Sequence, residues 1–185
     1  SNLANAEQAL GNYQAAKDLY HQVLEIDRQV YGDDHVEVAI TRGNLAIVEE
    51  KLGNYAAAKD LCEQALRVKR QTYGDDHVEV ARTCGNLANV EEKLGNYSVA
   101  KDLYKQALEI ERQVYNNDHV QVAITHYNVG LLYLKTGEPQ KANTVLANAQ
   151  RIYAHHYGTE HPHTQQANRA LQQAQQAIAN RLDVK

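Results

Sequence analysis

GNLANVEEKLGNY, residues 85–97, is one of four versions of the same stretch. GNLAIVEEKLGNY at 43–55 differs from it at a single position, SNLANAEQALGNY occupies 1–13, and YNVGLLYLKTGEP at 127–139 is a diverged fourth version, each 42 residues from the next. A fixed period of this length is the signature of a solenoid, in which each unit is too small to bury its own apolar face and neighbours complete one another's core. The chain is therefore expected to be one elongated array: a truncated first unit at 1–33, full units at 34–75, 76–117 and 118–159, and a closing helix at 160–185. Ser1 falls where Gly43 and Gly85 stand in mid-helix, so the first unit is expected to be cut from a longer array.

The punctuation inside each period places the helices. Gly11, Gly53, Gly95 and Gly137 stand just past a helical stripe, at the left-handed position that ends a helix. A second helix is then expected over 13–31, burying Ala16, Leu19, Tyr20, Val23, Ile26 and Val30 at spacings of three and four. Gly32, Gly74 and Gly158 stop the equivalent helices, and Asn116 replaces glycine in the third copy as a residue that also tolerates left-handed backbone. Asp34 with Glu37, Asp76 with Glu79 and Asp118 with Gln121 have the spacing of a capping box, which makes the aspartate the predicted N-cap. In the last unit Pro162 stands in the first turn, where its missing amide costs little. The first helix of a unit is expected over 34–52, burying Val38, Thr41, Leu45, Val48 and Leu52, with small Ala39 and Ala46 for close approach. Residues 164–181 read as a closing helix with Ala167, Leu171, Ala174 and Ile178 inward and a glutamine-rich remainder outward.

Composition narrows the function. The net charge of −4 leaves no basic excess to neutralise phosphates, which argues against nucleic acid or an anionic membrane as the main ligand. No apolar run approaches the ~20 residues of a membrane span and no charged-then-apolar leader is present, so a soluble protein is expected. The chain has 12 tyrosines and neither Phe nor Trp. Tyr13, Tyr55 and Tyr97, and Tyr31, Tyr73, Tyr115 and Tyr157, sit in register and read as packing wedges at the corners between helices. Cys62 and Cys84 occupy different repeat positions, so neither a disulfide framework nor a zinc spacing emerges, and reduced thiols in a cytoplasmic setting are expected.

The order Asn-Leu-Ala, Leu-Gly-Asn-Tyr, a small residue at Ala58 or Ala100, then Gln-Ala-Leu at 64–66 or 106–108 resembles a tetratricopeptide repeat. The 42-residue period, with YGDDHVEVA bridging the units, is similar to the kinesin light chain type. The fold class this implies is all-α, a right-handed superhelical α-solenoid of antiparallel helix pairs with a C-terminal capping helix. One departure stands out: Glu7, Glu49 and Glu91 occupy the place where the family usually has Tyr, and only Tyr133 matches.

Catalytic signals are weak, and no enzyme is expected. His155, His156, His161 and His163 crowd into nine residues, yet His161 is the register partner of His35, His77 and His119, and no ligand pattern is forced by the spacing, so no metal or other cofactor is expected. The glycines are helix stops or mid-helix small residues rather than a phosphate-cradling loop, and no Ser or Cys sits in a nucleophile motif.

The resemblance places the first helices on a concave face. Asn2, Asn44, Asn86 and Asn128 recur once per unit, and a carboxamide offers both donor and acceptor to an extended peptide backbone. In proteins this sequence resembles, such an Asn ladder holds the main chain of a bound peptide. Gly43 and Gly85 beside it cost a helix about 1 kcal/mol each relative to Ala, which suggests that room is needed. Lys51, Lys93 and Lys135 make one row, Glu50 and Glu92 another, and Asn5, Ile47, Asn89 and Leu131 a third. Arg82 with Gly85 and Asn86 resembles half of a carboxylate clamp, whose second basic residue would fall at Ile124. The expected binding residues are thus Asn44, Asn86, Asn128, Asn89, Arg82, Lys51, Lys93 and Lys135, and the expected partner is a protein or peptide. The alternatives are a structural spacer and weak self-association through the truncated N-terminal end.

Overall fold

The computed structural model describes residues 2–182; Ser1, with its expected mid-helix register, lies outside them. Among the described residues nine α-helices and no strands occur: α1 (Asn2–Ala9), α2 (Tyr13–Tyr31), α3 (Val36–Lys51), α4 (Tyr55–Tyr73), α5 (Val78–Lys93), α6 (Tyr97–Tyr115), α7 (Val120–Lys135), α8 (Pro139–Tyr157) and α9 (Pro162–Leu182). The chain divides into two compact units, Ser1–Leu103 and Tyr104–Lys185, and α6 carries the backbone from the first to the second. In the first unit α1 packs on α2, α2 on α3, α3 on α4 and α4 on α5, with α3 also touching α5. In the second, α7 packs on α8 and α8 on α9, with α7 also touching α9. Packing between sequence neighbours is the physical content of a solenoid.

Two kinds of turn alternate. The one after each first helix is closed by glycine: Gly53 has φ +82°, its N–H reaches Glu50 O at 3.0 Å, and Asn54 N–H reaches Glu49 O at 2.9 Å. This is the double closure of a Schellman end, which satisfies two carbonyls that the helix leaves open. After each second helix, Gly32, Gly74 and Gly158 take φ 84–85° with ψ 161–169°, a region that side chains exclude. Asn116, at φ 73°, fills that place in the third copy, where its Oδ1 accepts the Asp118 N–H at 2.9 Å.

The predicted aspartate caps are displaced by one residue. His35, His77 and His119 are the N-caps, with each Nδ1 accepting the backbone N–H two residues on, from Glu37, Glu79 and Gln121 at 3.1–3.2 Å. First helices therefore begin at Val36, Val78 and Val120. The aspartates instead reach sideways: Asp34 pairs with Arg67 and Asp118 with Arg151, both at 2.7 Å. The tyrosines that end the second helices pack at the corners by stacking on these caps. Tyr31, Tyr73, Tyr115 and Tyr157 stack on His35, His77, His119 and His161, with centroids 4.2–4.8 Å apart. A flat ring over the capping imidazole holds it in place while part of the phenol stays in water.

The core follows the expected stripes with one exception. Val38, Thr41, Leu45 and Val48 are buried on α3, as are Ala16 and Tyr20 on α2. Ile26 and Val30, however, are 59% and 65% exposed. Their half of α2 needs a first helix opposite it, and the eight residues of α1 cover only the other half. In the register position of Ile26, Val68 packs against Ala39 and Ala65, and Ile152 against Val122 and Ala123. At the other end α9 buries Ala167, Ala170 and Ala174 against α8 and α7, and Arg181 donates to Gly137 O at 2.8 Å. No described helix is long and apolar enough to cross a membrane.

Candidate functional site

Asn44 on α3, Asn86 on α5 and Asn128 on α7 are each half-buried, one in every full repeat. Among the described residues none of the three carboxamides has a hydrogen-bonding partner. Each carboxamide therefore has two donors and an acceptor left for solvent or a ligand. Asn44 and Asn86 share the first unit, on helices that touch; Asn128 belongs to the second.

The helical glycines differ in the space around them. A Cβ added at Gly85 would meet nothing within 4 Å, and one at Gly43 would meet only Lys69 Nζ at 3.9 Å. Gly85 is therefore not required by packing. Gly130 is: a Cβ there would run into Cγ and Cδ2 of Leu146. Asn89 is half-buried one turn beyond Asn86.

The charged candidates are more committed. Arg82 donates to Glu79 Oε2 at 2.6 Å, and the same oxygen receives Lys69 Nζ at 3.0 Å. Burial works to raise the Glu79 carboxyl, yet Lys69 and Arg82 outweigh it and hold the group below its ordinary range. The guanidinium expected to form half of a clamp is thus already engaged, and Ile124, in the second position of that clamp, is an exposed aliphatic residue. Lys51, Lys93 and Lys135 occupy the last turns of α3, α5 and α7, where a cation complements the helix dipole. Lys51 Nζ also lies 3.8 Å from Glu50 Oε1.

The glutamates that depart from the family pattern have a structural task. Glu49 accepts from Asn54 Nδ2 at 2.7 Å and pairs with Lys17 of α2 at 2.9 Å; Glu91 accepts from Asn96 Nδ2 at 2.6 Å and pairs with Lys59 of α4 at 2.8 Å. Each one ties its own glycine turn to the preceding helix pair. The hydrogen bond that Lys59 donates to Glu91 raises the ammonium; burial works to raise the Glu91 carboxyl, but Lys59 and Asn96 hold it down. Glu7 keeps only the turn part of this arrangement, accepting from Asn12 Nδ2 at 2.7 Å.

The histidine-rich turn is held by ordinary contacts. His161 Nδ1 accepts the His163 N–H at 3.3 Å, and His156 Nε2 lies 2.7 Å from Asp118 O. Among the described residues no group of three or more His, Cys, Asp or Glu is disposed to hold a metal ion. Both cysteines are buried free thiols, and burial pushes Cys62 up to about 12, which removes thiolate reactivity.

Sequence reasoning passed over one set of residues. Lys69 and Glu111, in the same register position, are each only 2% exposed. Burial lowers the Lys69 ammonium, an effect that Glu79 offsets in part, and burial pushes Glu111 up to about 7. Charged residues at an apolar stripe position were the available signal.

Comparisons place this geometry among known proteins. No curated protein matches the chain. Among solved structures, a Podosopora anserina protein assigned as a kinesin light chain, with nearly identical TPR-like repeats, superposes with a TM-score of 0.82 at 24% identity, over 98% of this chain and 86% of that one. BtubC (BKLC) from P. vanneervenii gives 0.75 at 22% identity, covering 96% and 78%, and the apo form of RapI gives 0.80 at 19%, covering 96% and 62%. At these identities the likeness establishes the fold, a TPR-like solenoid of helix pairs. The family model for the tetratricopeptide repeat matches three overlapping stretches, residues 1–69, 37–113 and 85–155, which together span most of the sequence. With the period, the turns and the paired helices in agreement with that match, the chain belongs to the tetratricopeptide repeat family.

Proposed function

We propose that this protein is an interaction scaffold that holds an extended or short helical peptide against its first helices. The observation that carries the proposal is the pair Asn44 and Asn86, on helices of the first unit that touch: half-buried carboxamides in register, without partners among the described residues. An extended peptide has an unpaired donor and acceptor on every residue, and a carboxamide answers both. The open space at Gly85 supports close approach of a second backbone. Asn89, Arg82, Lys51 and Lys93 belong to the same unit as that pair and would act on the ligand's side chains, with Arg82 reaching only what its bond to Glu79 permits.

Selection from a displayed library of random 12-residue peptides tests this reading. A receptor enriches peptides that compete with one another, and the enrichment is lost in the Asn44→Ala/Asn86→Ala variant. A structural spacer enriches nothing, or enriches equally with both proteins.

A second surface has its own observation. Leu3, Leu10, Ile26 and Val30 are all more than half exposed around α1 and α2. Weak self-association through this end is the accompanying proposal. Sedimentation velocity across a concentration series should show it, and Leu10→Asp/Ile26→Asp should remove it; concentration-independent sedimentation of the parent protein would dismiss it.

A further inference from the structure

One position on the second helices carries a different side chain in every copy: Asp27, Lys69, Glu111 and Tyr153. The last three are nearly inaccessible. Each meets the first helix that follows it in sequence. Asp27 accepts from Thr41 Oγ1 at 2.7 Å. Lys69 donates to Glu79 Oε2 at 3.0 Å and to Thr83 Oγ1 at 3.1 Å. Glu111 accepts from Thr125 Oγ1 at 3.1 Å through Oε1, while its buried Oε2 has no partner among the described residues; Gln121 acts with Thr125 to hold the carboxyl down against burial. Tyr153 packs with Ala167, which replaces the threonine of the other copies, and its ring lies 5.7 Å from that of His163. The constant threonine is compatible with both signs of charge because a hydroxyl donates to a carboxylate and accepts from an ammonium.

We propose that where this position is buried and charged, at Lys69 and Glu111, it is an assembly key, whose pairing with the following first helix, and above all with the residue ten places later, decides which first helix stacks on which second helix. The need for such a key follows from the repetition itself. Residues 43–55 and 85–97 differ at one position, so their apolar surfaces barely distinguish correct stacking from stacking displaced by one repeat or made with a second copy. The buried pairs do distinguish them. Glu111 placed against Glu79 would bury two carboxylates together, and Lys69 placed against Gln121 would bury an ammonium with no opposite charge. Both arrangements are penalised where water cannot enter, which is the setting in which a charged pair enforces specificity. The key holds in each unit separately: 69 with 79 and 83 in the first, 111 with 121 and 125 in the second.

Charge exchange within each key is the test, read by thermal melting at pH 7 and by size-exclusion chromatography. Glu111→Lys places an ammonium against Gln121 and should lower Tm by about 5–10 °C, as the loss of a buried partner does in a chain of this size. Gln121→Glu alone sets a second carboxylate against Glu111 and should also lower Tm. The double variant Glu111→Lys/Gln121→Glu rebuilds the arrangement of Lys69 with Glu79 and should recover more than half of the loss. In the first unit Lys69→Glu should destabilise and Lys69→Glu/Glu79→Gln should recover likewise. The loss of Arg82's partner adds little there, because that guanidinium is exposed. Single variants that remain folded should show larger, mispaired species that the doubles lack. Doubles no more stable than their worse single variant would overturn the proposal, leaving these residues as buried polar groups without pairing specificity.

Discussion

Glu111 shows how far one side chain can couple this fold to pH. Its folded value, about 7, lies above that of a free carboxyl, so the folded protein binds the proton more tightly than the unfolded chain does. The burial of Glu111 is therefore tolerated when the carboxyl is protonated, and stability is lost as pH rises from the unfolded value through about 7. Glu111→Gln keeps the shape and removes the titration. We expect Tm of the variant to exceed that of the parent at pH 8, with the gap closing towards pH 5; a gap that does not change with pH would refute the assignment. His126 makes a different residue-level case. It lies beside the Arg112 guanidinium, Nε2 at 3.1 Å, and Arg112 can only donate, so the ring accepts there and carries its proton on Nδ1. Burial, with Arg112 and Arg151 adding to it, lowers the ring to about 4, so it stays neutral at physiological pH. The capping histidines can be tested by shape as well. His77→Ala should cost about 1 kcal/mol, the usual value of an N-cap, while His77→Asn should retain most of the stability, as denaturant unfolding would show.

At the scale of the element, four glycines in three kinds of surroundings predict outcomes of opposite sign. Gly53 and Gly95 hold φ +82° and +85°, so valine at either should destabilise by about 1–2 kcal/mol. Gly85 is helical with open space around it, and Gly85→Ala should stabilise by about 1 kcal/mol. Gly130→Ala should destabilise by about 1–3 kcal/mol, since Leu146 must move. Thermal and urea melts of the four variants would check the signs, and a stabilised Gly53→Val would remove the helix boundaries themselves. The helices and their glycine ends were legible in the sequence because the 42-residue register repeats the same punctuation at Gly11, Gly53, Gly95 and Gly137. The caps were not. Asp-x-x-Glu has the familiar spacing of a capping box, and nothing in that spacing reveals that the next residue, histidine, is the one steadied by a stacked tyrosine. The exposure of Ile26 and Val30 was also hidden, since a helical stripe shows which side chains can be buried, not whether a helix lies opposite.

At the scale of the whole molecule, stability should follow nearest-neighbour packing. Hydrogen exchange is expected to be fastest over 2–12, where α1 has a single helix against it, slow over about 38–150, and partly protected through 178. Deleting 164–185 uncovers Ala142, Leu146 and Tyr153, and should speed exchange over 118–157 or cause aggregation. Unchanged exchange there would make α9 an appendage instead of a cap. The candidate site was legible only in part. The Asn row could be read because it recurs with the period, whereas the commitment of Arg82 to Glu79 and the burial of Lys69 depend on neighbours far along the chain. The central claim is that the unpartnered carboxamides hold a peptide main chain. The most direct measurement is the Kd of a library-selected peptide, by calorimetry, for the parent protein, for Asn44→Ala/Asn86→Ala and for Glu63→Gln as an exposed control on α4. The account predicts a loss of affinity of about tenfold or more in the asparagine variant, as expected when main-chain hydrogen bonds are removed, and no change in the control. Equal affinity for all three proteins would contradict it.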